Sequence, residues 1–507
     1  MGTLTLSMIV KNEEKYLKDC LESVNGVVDD IVIVDTGSTD KTLEIAKEYK
    51  AKIYHFEWIN DFSAARNYAL QYSSGDWILY LDADERLDPN SIKELKRLIN
   101  GVSKVGYYCT VKSVDSKNER DHAIRYVRLF KNSKEIKFTG KVHEQIVPSL
   151  LENKYELHHS SILINHVGYD VDKEIKEAKA KRNLELLLND YNENKSAYNA
   201  FQLGQTYFVL EEYDKAEEYF NVALASKELP NDLKAECYSY LAQKAHRNYD
   251  SDRAQKFMDK AIELNPRQSF YFLFISKIYL RKKDIYKAKL YAQKAMEANK
   301  SIQQHEKVNL QTIYVDPREI IYYGLNLAYQ SNDNDMIEYF TRELYRIIKE
   351  EQASEKIQMI KLMESILQGR EITQEIAQIL FKCIDKNNLE LFLMGINRQK
   401  NNSIKQDLLL KLKNKFPDNV EVIKNLASVY DNNNNTQSAV ELLQNNIEII
   451  KNDPAALFYL ASFYLKINNI KKSYELFTMI EKNFSNLLDM IPKVKAIRLR
   501  LENALKS

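Results

Sequence analysis

WILYLDADERLD, at residues 77–88, is the stretch that decides how the first part of the chain folds. An apolar run ends there in a group of acidic residues. Side chains alternate between the two faces of a strand. A strand that continued past Leu81 would place Asp82 and Asp84 on one side and turn Glu85 away from them. Two neighbouring carboxylates repel each other unless a divalent metal, an arginine or water lies between them. The stretch therefore predicts a buried strand that ends at a polar site.

Strand and helix patterns alternate on the N-terminal side of this stretch. Amphipathic helical patterns follow the strands, and Ser38, Thr39 or Asp40 can cap a helix that begins near Lys41. This alternation predicts an α/β domain with a parallel, doubly wound sheet, in which ligands bind at the carboxyl ends of the strands. The strand-like runs are TLTLSMIV (3–10), DIVIVD (30–35), AKIYHFEW (51–58) and DWILYLD (76–82).

Composition separates this domain from the remainder of the chain and narrows the possible functions. Eight of the 12 glycines precede residue 170, and the rest of the 507 residues are rich in helix formers. The formal charge is +1, so neither nucleic acid nor an anionic membrane is expected as the main partner. No apolar segment approaches the roughly 20 residues that span a bilayer.

Cysteine usage and the N-terminal residues bear on the cellular location. Cys20, Cys109, Cys237 and Cys383 lack the spacing of metal ligands and indicate reduced thiols. The N-terminal residues show neither a charged leader nor a cleavage site. We therefore expect a cytoplasmic protein that is not secreted.

After Asp172 the chain repeats a pattern typical of tetratricopeptide helix pairs. Gly204, Tyr207, Ala216 and Phe220 match it, and small residues recur at steps of 34 residues in two later runs. The pattern is weak between about 310 and 415. We predict boundaries at 1–172 for the α/β domain, 173–310 for repeats, 311–415 for degenerate helical repeats and 416–507 for C-terminal repeats.

Several motifs together resemble the family-2 glycosyltransferases of the GT-A fold, which have a Rossmann-like, mostly parallel sheet. They are LSMIVKNEEKYLKDCLESV, DIVIVDTGSTDKT, FSAARNYAL, WILYLDADE and GKVHEQI, in the family's order and within residues 3 to about 170. The resemblance implies a nucleoside-diphosphate sugar as donor and a DxD motif that holds a divalent metal against its diphosphate. Carboxylate oxygens suit Mn²⁺ or Mg²⁺.

The resemblance also assigns roles on the donor side of the site. Asp84 is the expected metal ligand, and Asp82 is expected to bind ribose, the metal or a metal-bound water. Asp35 is expected to recognise the nucleobase, although an acid that only holds a turn is the alternative. Arg66 corresponds to a family position near the nucleotide, and a solvated surface charge is the alternative. Lys11 follows the first strand, where the family also cradles the nucleotide, mostly through backbone groups.

Further residues are expected on the acceptor side and around the phosphates. Glu144 is the expected general base, with His143 orienting it or touching the diphosphate; a surface His-Glu pair is the alternative. His166 is a candidate third metal or phosphate ligand, against a simple packing role. Arg125 and Arg128 could contact phosphate, and ordinary charges on a strand face are the alternative for both.

The combination predicts a metal-dependent, inverting glycosyltransferase that transfers a sugar, in this family most commonly from a UDP-linked donor, to a peptide or protein held by the helical array. Bacterial bacteriocin S-glycosyltransferases and flagellin-modifying enzymes resemble this combination. The nucleophile, hydroxyl or thiol, stays open. A rigid spacer and a homodimer interface are alternative roles for the array. The competing functions are a polysaccharide or lipopolysaccharide core transferase and a non-catalytic nucleotide-binding scaffold.

Overall fold

The computed structural model describes residues 2–101, 103–115, 120–167, 173–303, 311–313, 315–350, 366–367, 371–487 and 490–506. The chain forms two compact units. Unit 1 comprises Met1–Leu241, Phe257–Phe272 and Glu297–Asp316, and unit 2 comprises Ala242–Lys256, Leu273–Met296 and Pro317–Ser507.

Unit 1 contains the β-sheet. Its strands are β1 Leu4–Val10, β2 Asp30–Asp35, β3 Lys52–His55, β4 Trp77–Tyr80, β5 Glu85–Leu87, β6 Val105–Asp115, β7 Arg120–Lys131, β8 Glu156–His166 and β9 Gln311–Ile313. They follow the order β3-β2-β1-β4-β7-β6-β8-β5 across the sheet, and β9 pairs with β7. Strands β3, β2, β1 and β4 are mutually parallel, whereas β4 and β7, β6 and β7, and β5 and β8 pair antiparallel. The parallel half is the part that strand–helix alternation predicted.

Helices cover both faces of the parallel half. These helices and the short one after β7 are α1 Leu17–Val24, α2 Thr42–Glu48, α3 Phe62–Tyr72, α4 Ile92–Leu98 and α5 Val147–Glu152. On one face, α1 and α4 pack on β1 and β4 in a core that includes Leu6, Leu21 and Leu95. On the other face, Ala69 of α3 packs against Val34. Burial on both faces explains why residues 31–34 of β2, IVIV, form a continuous apolar run rather than an alternating one.

The remaining helices build the array. They are α6 Lys173–Glu193, α7 Ala197–Val209, α8 Tyr213–Ala225, α9 Asn231–Arg247, α10 Ser251–Leu264, α11 Ser269–Arg281, α12 Ile285–Gln303, α13 Pro317–Ser331, α14 Asn334–Glu350, α15 Gln374–Cys383, α16 Leu389–Asn397, α17 Asn402–Lys415, α18 Val420–Asn432, α19 Thr436–Asn445, α20 Ile447–Ile450, α21 Pro454–Lys466, α22 Ile470–Asn483 and α23 Ile491–Lys506. The α/β domain followed by an all-helical array confirms the predicted fold class.

Two glycines show how paired helices pack in both units. In unit 1, a Cβ added to Gly204 of α7 would lie 2.6 Å from the ring of Phe220 on α8. In unit 2, a Cβ added to Gly324 of α13 would lie 2.3 Å from the ring of Phe340 on α14. Both distances are shorter than any real carbon contact, so each phenylalanine fills the space that the absent side chain leaves. The α13–α14 pair therefore packs like the α7–α8 pair, although it lies in the segment 311–415, where the sequence pattern predicted degenerate repeats.

Two further observations concern the whole described chain. Among its described residues, no helix is both long enough and apolar enough to cross a membrane. The four cysteines are free, and Cys20, Cys109 and Cys237 are buried. The free thiols agree with the reduced state expected from their spacing.

Candidate active site

The loops after β1 and β2 hold each other through side-chain bonds to backbone groups. Asn12, which has a positive φ of 57°, accepts the Thr39 backbone N–H at Oδ1 over 2.8 Å. In return, the Asn12 N–H donates to Ser38 Oγ at 3.0 Å. Lys11, beside Asn12, is exposed. The two loops therefore form one cradle at the carboxyl end of the parallel strands, where the resemblance places the nucleotide.

Asp35 anchors this cradle at the end of β2. Its side chain is 4% exposed, and it accepts the backbone N–H groups of Gly37 at 3.3 Å and Ser38 at 3.0 Å. His55 Nδ1 lies 3.3 Å from its Oδ2. These contacts are those of an acid that shapes a turn, which was the alternative to base recognition. The recognition role stays a prediction.

The acidic stretch after β4 does not continue the strand. β4 ends at Tyr80, and residues 82–85 form a turn closed by the Glu85 N–H, which donates to the Asp82 carbonyl at 2.9 Å. The Asp82 N–H donates to Glu85 Oε2, also at 2.9 Å. Glu85 is 2% exposed and lies beside Asp82. The expectation that Glu85 turns away from the site was wrong, because the period-two geometry ends before Leu81.

Arg66 on α3 connects the two halves of the predicted site. Its Nη2 donates to Asp82 Oδ1 at 2.6 Å, and its Nε donates to Glu144 Oε1 at 2.5 Å. Arg66 is 6% exposed, and its guanidinium lies 5.1 Å from the ring centre of Tyr80 and 5.6 Å from that of Phe138. Burial works against its charge, but the two carboxylates outweigh burial and raise the pKa of Arg66. The Arg66 side chain thus bonds both to Asp82, the acid expected on the donor side, and to Glu144, the expected base.

Arg128 on β7 holds the same turn from the opposite direction. Its Nη2 donates to Asp82 Oδ2 at 3.2 Å and to Glu85 Oε1 at 2.5 Å. Burial raises the pKa of Glu85 to about 7 against the attraction of Arg128. Burial also opposes ionisation of Asp82, yet Arg66 and Arg128 hold the pKa of that carboxyl well below its usual range. Arg125 lies three residues away on the strand, and its Nη1 is 2.9 Å from His159 Nδ1. It does not join the cluster that Arg128 forms.

Asp84 and His166 form a second pair at the end of β8. His166 Nε2 lies 3.0 Å from Asp84 Oδ2, and Nδ1 lies 3.0 Å from Ser113 Oγ on β6. Burial alone would lower the pKa of His166, but the bond to Asp84 and the nearby acids raise it. Among the described residues, no group of three or more histidine, cysteine, aspartate or glutamate side chains is placed to hold a metal. Of the three predicted metal ligands, Asp84 and His166 are in contact. Asp82 instead bonds to Arg66 and Arg128.

A carboxylate oxygen and an imidazole nitrogen at contact distance are nonetheless a donor set that Mn²⁺ accepts. Asp84 and His166 would supply two ligands, and a hard cation would take the others from diphosphate oxygens and water. The residues present therefore fit a divalent cation.

The loop at residues 138–146, FTGKVHEQI, carries the expected base and is fastened to α3. Ser63 Oγ donates to the Gly140 carbonyl at 2.6 Å, and Thr139 and Gln145 exchange backbone bonds at 2.8–2.9 Å. His143 has a positive φ of 55° and is exposed, whereas the Glu144 side chain is only 15% exposed. The chain therefore turns sharply at His143 and directs Glu144 inward to Arg66.

The structure brings Asp82, Glu144, Arg66 and Arg128 into one cluster and places Asp84 with His166 beside it. Sequence reasoning missed Glu85 and Ser113. The strand-end position of Glu85 was visible in the sequence, but the turn that directs it was not. Ser113 had no local signal, because only the pairing of β6 with β8 brings it to His166.

A cavity of about 550 Å³ in unit 2 contains none of these residues. Its walls come from α13, α16 and α18 and carry mainly carboxamide and charged side chains. The lining residues are Asn326, Tyr329, Gln330, Asn332, Glu390, Leu393, Met394, Asn397, Arg398, Glu421 and Asn425.

Two family models match separate parts of the chain. Residues 5–158 match the model of glycosyl transferase family 2, and residues 197–228 match the tetratricopeptide repeat model. The first domain is therefore a family 2 glycosyltransferase domain, and it is followed by tetratricopeptide repeats.

Individual relatives cover part of the chain. A TPR repeat-containing protein of Synechococcus elongatus is 33% identical over 50% of this chain and 64% of its own length. The SPbeta prophage-derived glycosyltransferase SunS of Bacillus subtilis is 29% identical over 46% of this chain and 56% of its own length. The chain thus spans less than two thirds of either relative. The crystal structure of S. aureus TarS 1–349 aligns with 61% of this chain and 93% of its own, at 15% identity and a TM-score of 0.28.

Proposed function

We propose that the protein is a metal-dependent, inverting glycosyltransferase that moves a sugar from a nucleoside-diphosphate sugar, UDP-linked by preference, to a peptide or protein. The observation that carries this proposal is the position of Arg66, which contacts Asp82 at 2.6 Å and Glu144 at 2.5 Å. In a displacement at a single carbon, the group that binds the donor and the base that activates the acceptor must lie close together. Asp82 and Glu144 meet this requirement, because one guanidinium contacts both.

On the donor side, the cradle at Asn12 and Asp35 would hold the nucleoside. Asp84 and His166 would hold Mn²⁺ or Mg²⁺, which when bound offsets the negative charge of the departing diphosphate. Arg66 and Arg128 keep Asp82 ionised and fix its orientation through bonds of 2.6 and 3.2 Å.

On the acceptor side, Glu144 would remove a proton from the nucleophile as it attacks the anomeric carbon. The new carbon–oxygen or carbon–sulfur bond forms as the bond to the diphosphate oxygen breaks, and the diphosphate leaves with that electron pair. Arg66 engages Oε1 of Glu144, so we assign proton transfer to Oε2. A thiol needs less help than a hydroxyl because its pKa, about 8.5, is far lower.

The first repeat supports a polypeptide acceptor. Gln145, next to Glu144, donates from Nε2 to the Tyr198 hydroxyl on α7 at 3.0 Å. Tetratricopeptide helices commonly bind peptides on their concave surface. A segment held there would lie next to the base.

The free thiols and the reducing environment they indicate favour a cytoplasmic location.

The first experiment is slow donor hydrolysis by the full chain. Purified protein is mixed with a panel of nucleotide sugars, with and without Mn²⁺, and the released nucleoside diphosphate is measured. We expect metal-dependent release from one donor and at least a 100-fold loss in Asp84→Ala. Glu152→Gln, an exposed carboxylate on α5, is the matched control and should hydrolyse at the wild-type rate.

Two results would count against the proposal. Equal release by Asp84→Ala and wild type would remove Asp84 from the donor site. Absence of release with every donor, together with no metal-dependent thermal stabilisation by any nucleotide, would favour a non-catalytic scaffold.

A further inference from the structure

Polar side chains on α7 and α9 form a row that starts at the 138–146 loop. Its first member, Tyr198, accepts the bond from Gln145 described above. Burial raises the pKa of the Tyr198 hydroxyl to about 12, and the charges of Glu144 and Glu236 act in the same direction. Tyr198 therefore contacts the residue next to the expected base, at the start of the row.

The row continues along α7, away from the 138–146 loop, through side chains at helical spacing. Tyr198, Gln202 and Gln205 are four and three residues apart, so they share one face of α7. Gln205 Nε2 donates to Glu236 Oε1 at 2.7 Å and reaches the Tyr240 hydroxyl at 3.3 Å. Glu236 and Tyr240 are four residues apart on α9 and share a face as well. Except for the buried Gln202, these side chains are partly exposed.

The far end of the row is acidic. Burial raises the pKa of Glu236 to about 7, and Asp232, one helical turn earlier, adds to the shift. The transfer reaction described above does not use this carboxyl. A carboxyl with a pKa near 7 is only partly ionised at neutral pH, and a cationic or N–H-donating group beside it would stabilise its charged form, whereas a phosphate-rich polymer would be repelled.

We propose that the row from Gln145 to Tyr240 binds the polypeptide segment beside the acceptor nucleophile, and that Glu236 selects acceptors with a basic side chain at a fixed distance from it. The inference rests on the proposed function and adds the residues that read the acceptor. Carboxamides such as Gln205 offer one donor and one acceptor group, as a peptide group does. Continuity with Glu144 places the bound segment where its nucleophile can react.

The test uses an array of synthetic 15-residue peptides with a central Ser, Thr or Cys and a single Lys moved through the other positions. The full chain, the donor identified by hydrolysis and Mn²⁺ are added, and sugar incorporation is measured. Wild type should prefer Lys at one or two positions by at least tenfold. Glu236→Gln keeps the shape and the acceptor oxygen, and should reduce that preference below twofold without changing donor hydrolysis.

The controls separate this inference from the proposed function. Glu228→Gln, an exposed acid between α8 and α9, should keep the wild-type profile, and thermal melting checks that Glu236→Gln is folded. An unchanged Lys preference in Glu236→Gln would overturn the inference and leave the transferase proposal standing. Donor hydrolysis without labelling of any peptide would overturn both the peptide acceptor and this row as its binding surface. Transfer to a polysaccharide in a parallel reaction would then identify the acceptor class.

Discussion

Replacing Arg66 by Met should destabilise unit 1 and weaken its candidate active site at the same time. The side chain is 7% exposed and pairs with Asp82 and Glu144. Removing one partner of a buried ion pair costs about 3–5 kcal/mol, because the remaining charge is left uncompensated. Asp82 is 40% exposed and keeps Arg128 at 3.2 Å, so we expect the lower end, about 3 kcal/mol.

Tryptophan fluorescence can follow this change selectively. The chain has two tryptophans, Trp58 and Trp77, and both lie in the α/β domain. Trp77 is fully buried in its core, so its emission during urea unfolding reports on that domain rather than on the array. With a slope of about 2 kcal/mol per molar urea, a loss of about 3 kcal/mol lowers the midpoint by about 1.5 M.

A double-mutant cycle tests the physical reason. In Arg66→Met with Glu144→Gln, one of the stranded charges is gone, so the pair should recover roughly 1–2 kcal/mol relative to Arg66→Met alone. Arg97→Met is the matched control, because Arg97 is 68% exposed and pairs with Glu94 on its own helix. It should cost less than about 1 kcal/mol. Equal midpoints for Arg66→Met and Arg97→Met, or strictly additive effects in the cycle, would refute the reasoning.

Two predictions concern unit 2. Gly324→Ala should destabilise the helices, because the added carbon would lie 2.3 Å from the Phe340 ring; overpacking of about 1–3 kcal/mol outweighs the roughly 1 kcal/mol gained in helix propensity. Urea unfolding followed by far-UV circular dichroism should show the loss, and an unchanged curve would contradict this packing. Burial lowers the pKa of His246 to about 3, with Arg281 and Lys277 adding to the shift. The folded pKa lies below the unfolded value of about 6.5, so stability is present above that value and is lost as the pH falls through 6.5 toward 3. His246→Leu should therefore reduce the fall in melting temperature between pH 7 and pH 4.5, and an equal fall in both proteins would exclude His246 as its source.

The sequence predicted the elements that depend on local pattern. DIVIVD forms β2 with the predicted bounds Asp30–Asp35, and the helix expected near Lys41 begins at Thr42. The order of the motifs also predicted a common site for Arg66 and Glu144, which the structure places in contact; their roles there stay predictions. Local pattern succeeds here because a parallel strand buried on both faces is mostly apolar, and a helix that covers it is amphipathic.

Features that depend on pairing between residues far apart in the sequence could not be predicted from local pattern. β9 at Gln311–Ile313 joins β7 from almost 190 residues away along the chain, and three residues carry no pattern that predicts such a partner. Glu85 was misjudged for a different reason. Its direction depends on where β4 stops, and the apolar run continues to Leu81 although the strand ends at Tyr80.

The small residue of one helix and the large residue of its partner are 16 positions apart in both glycine pairs, Gly204 with Phe220 and Gly324 with Phe340. The space left by the missing side chain of each glycine is thus filled by a residue 16 positions later in the sequence. A helical hairpin moved from one position of the array to another would keep its packing only if both members moved together. Substitutions at the two positions should accordingly compensate for each other, as when a larger residue replaces glycine and a smaller one replaces phenylalanine.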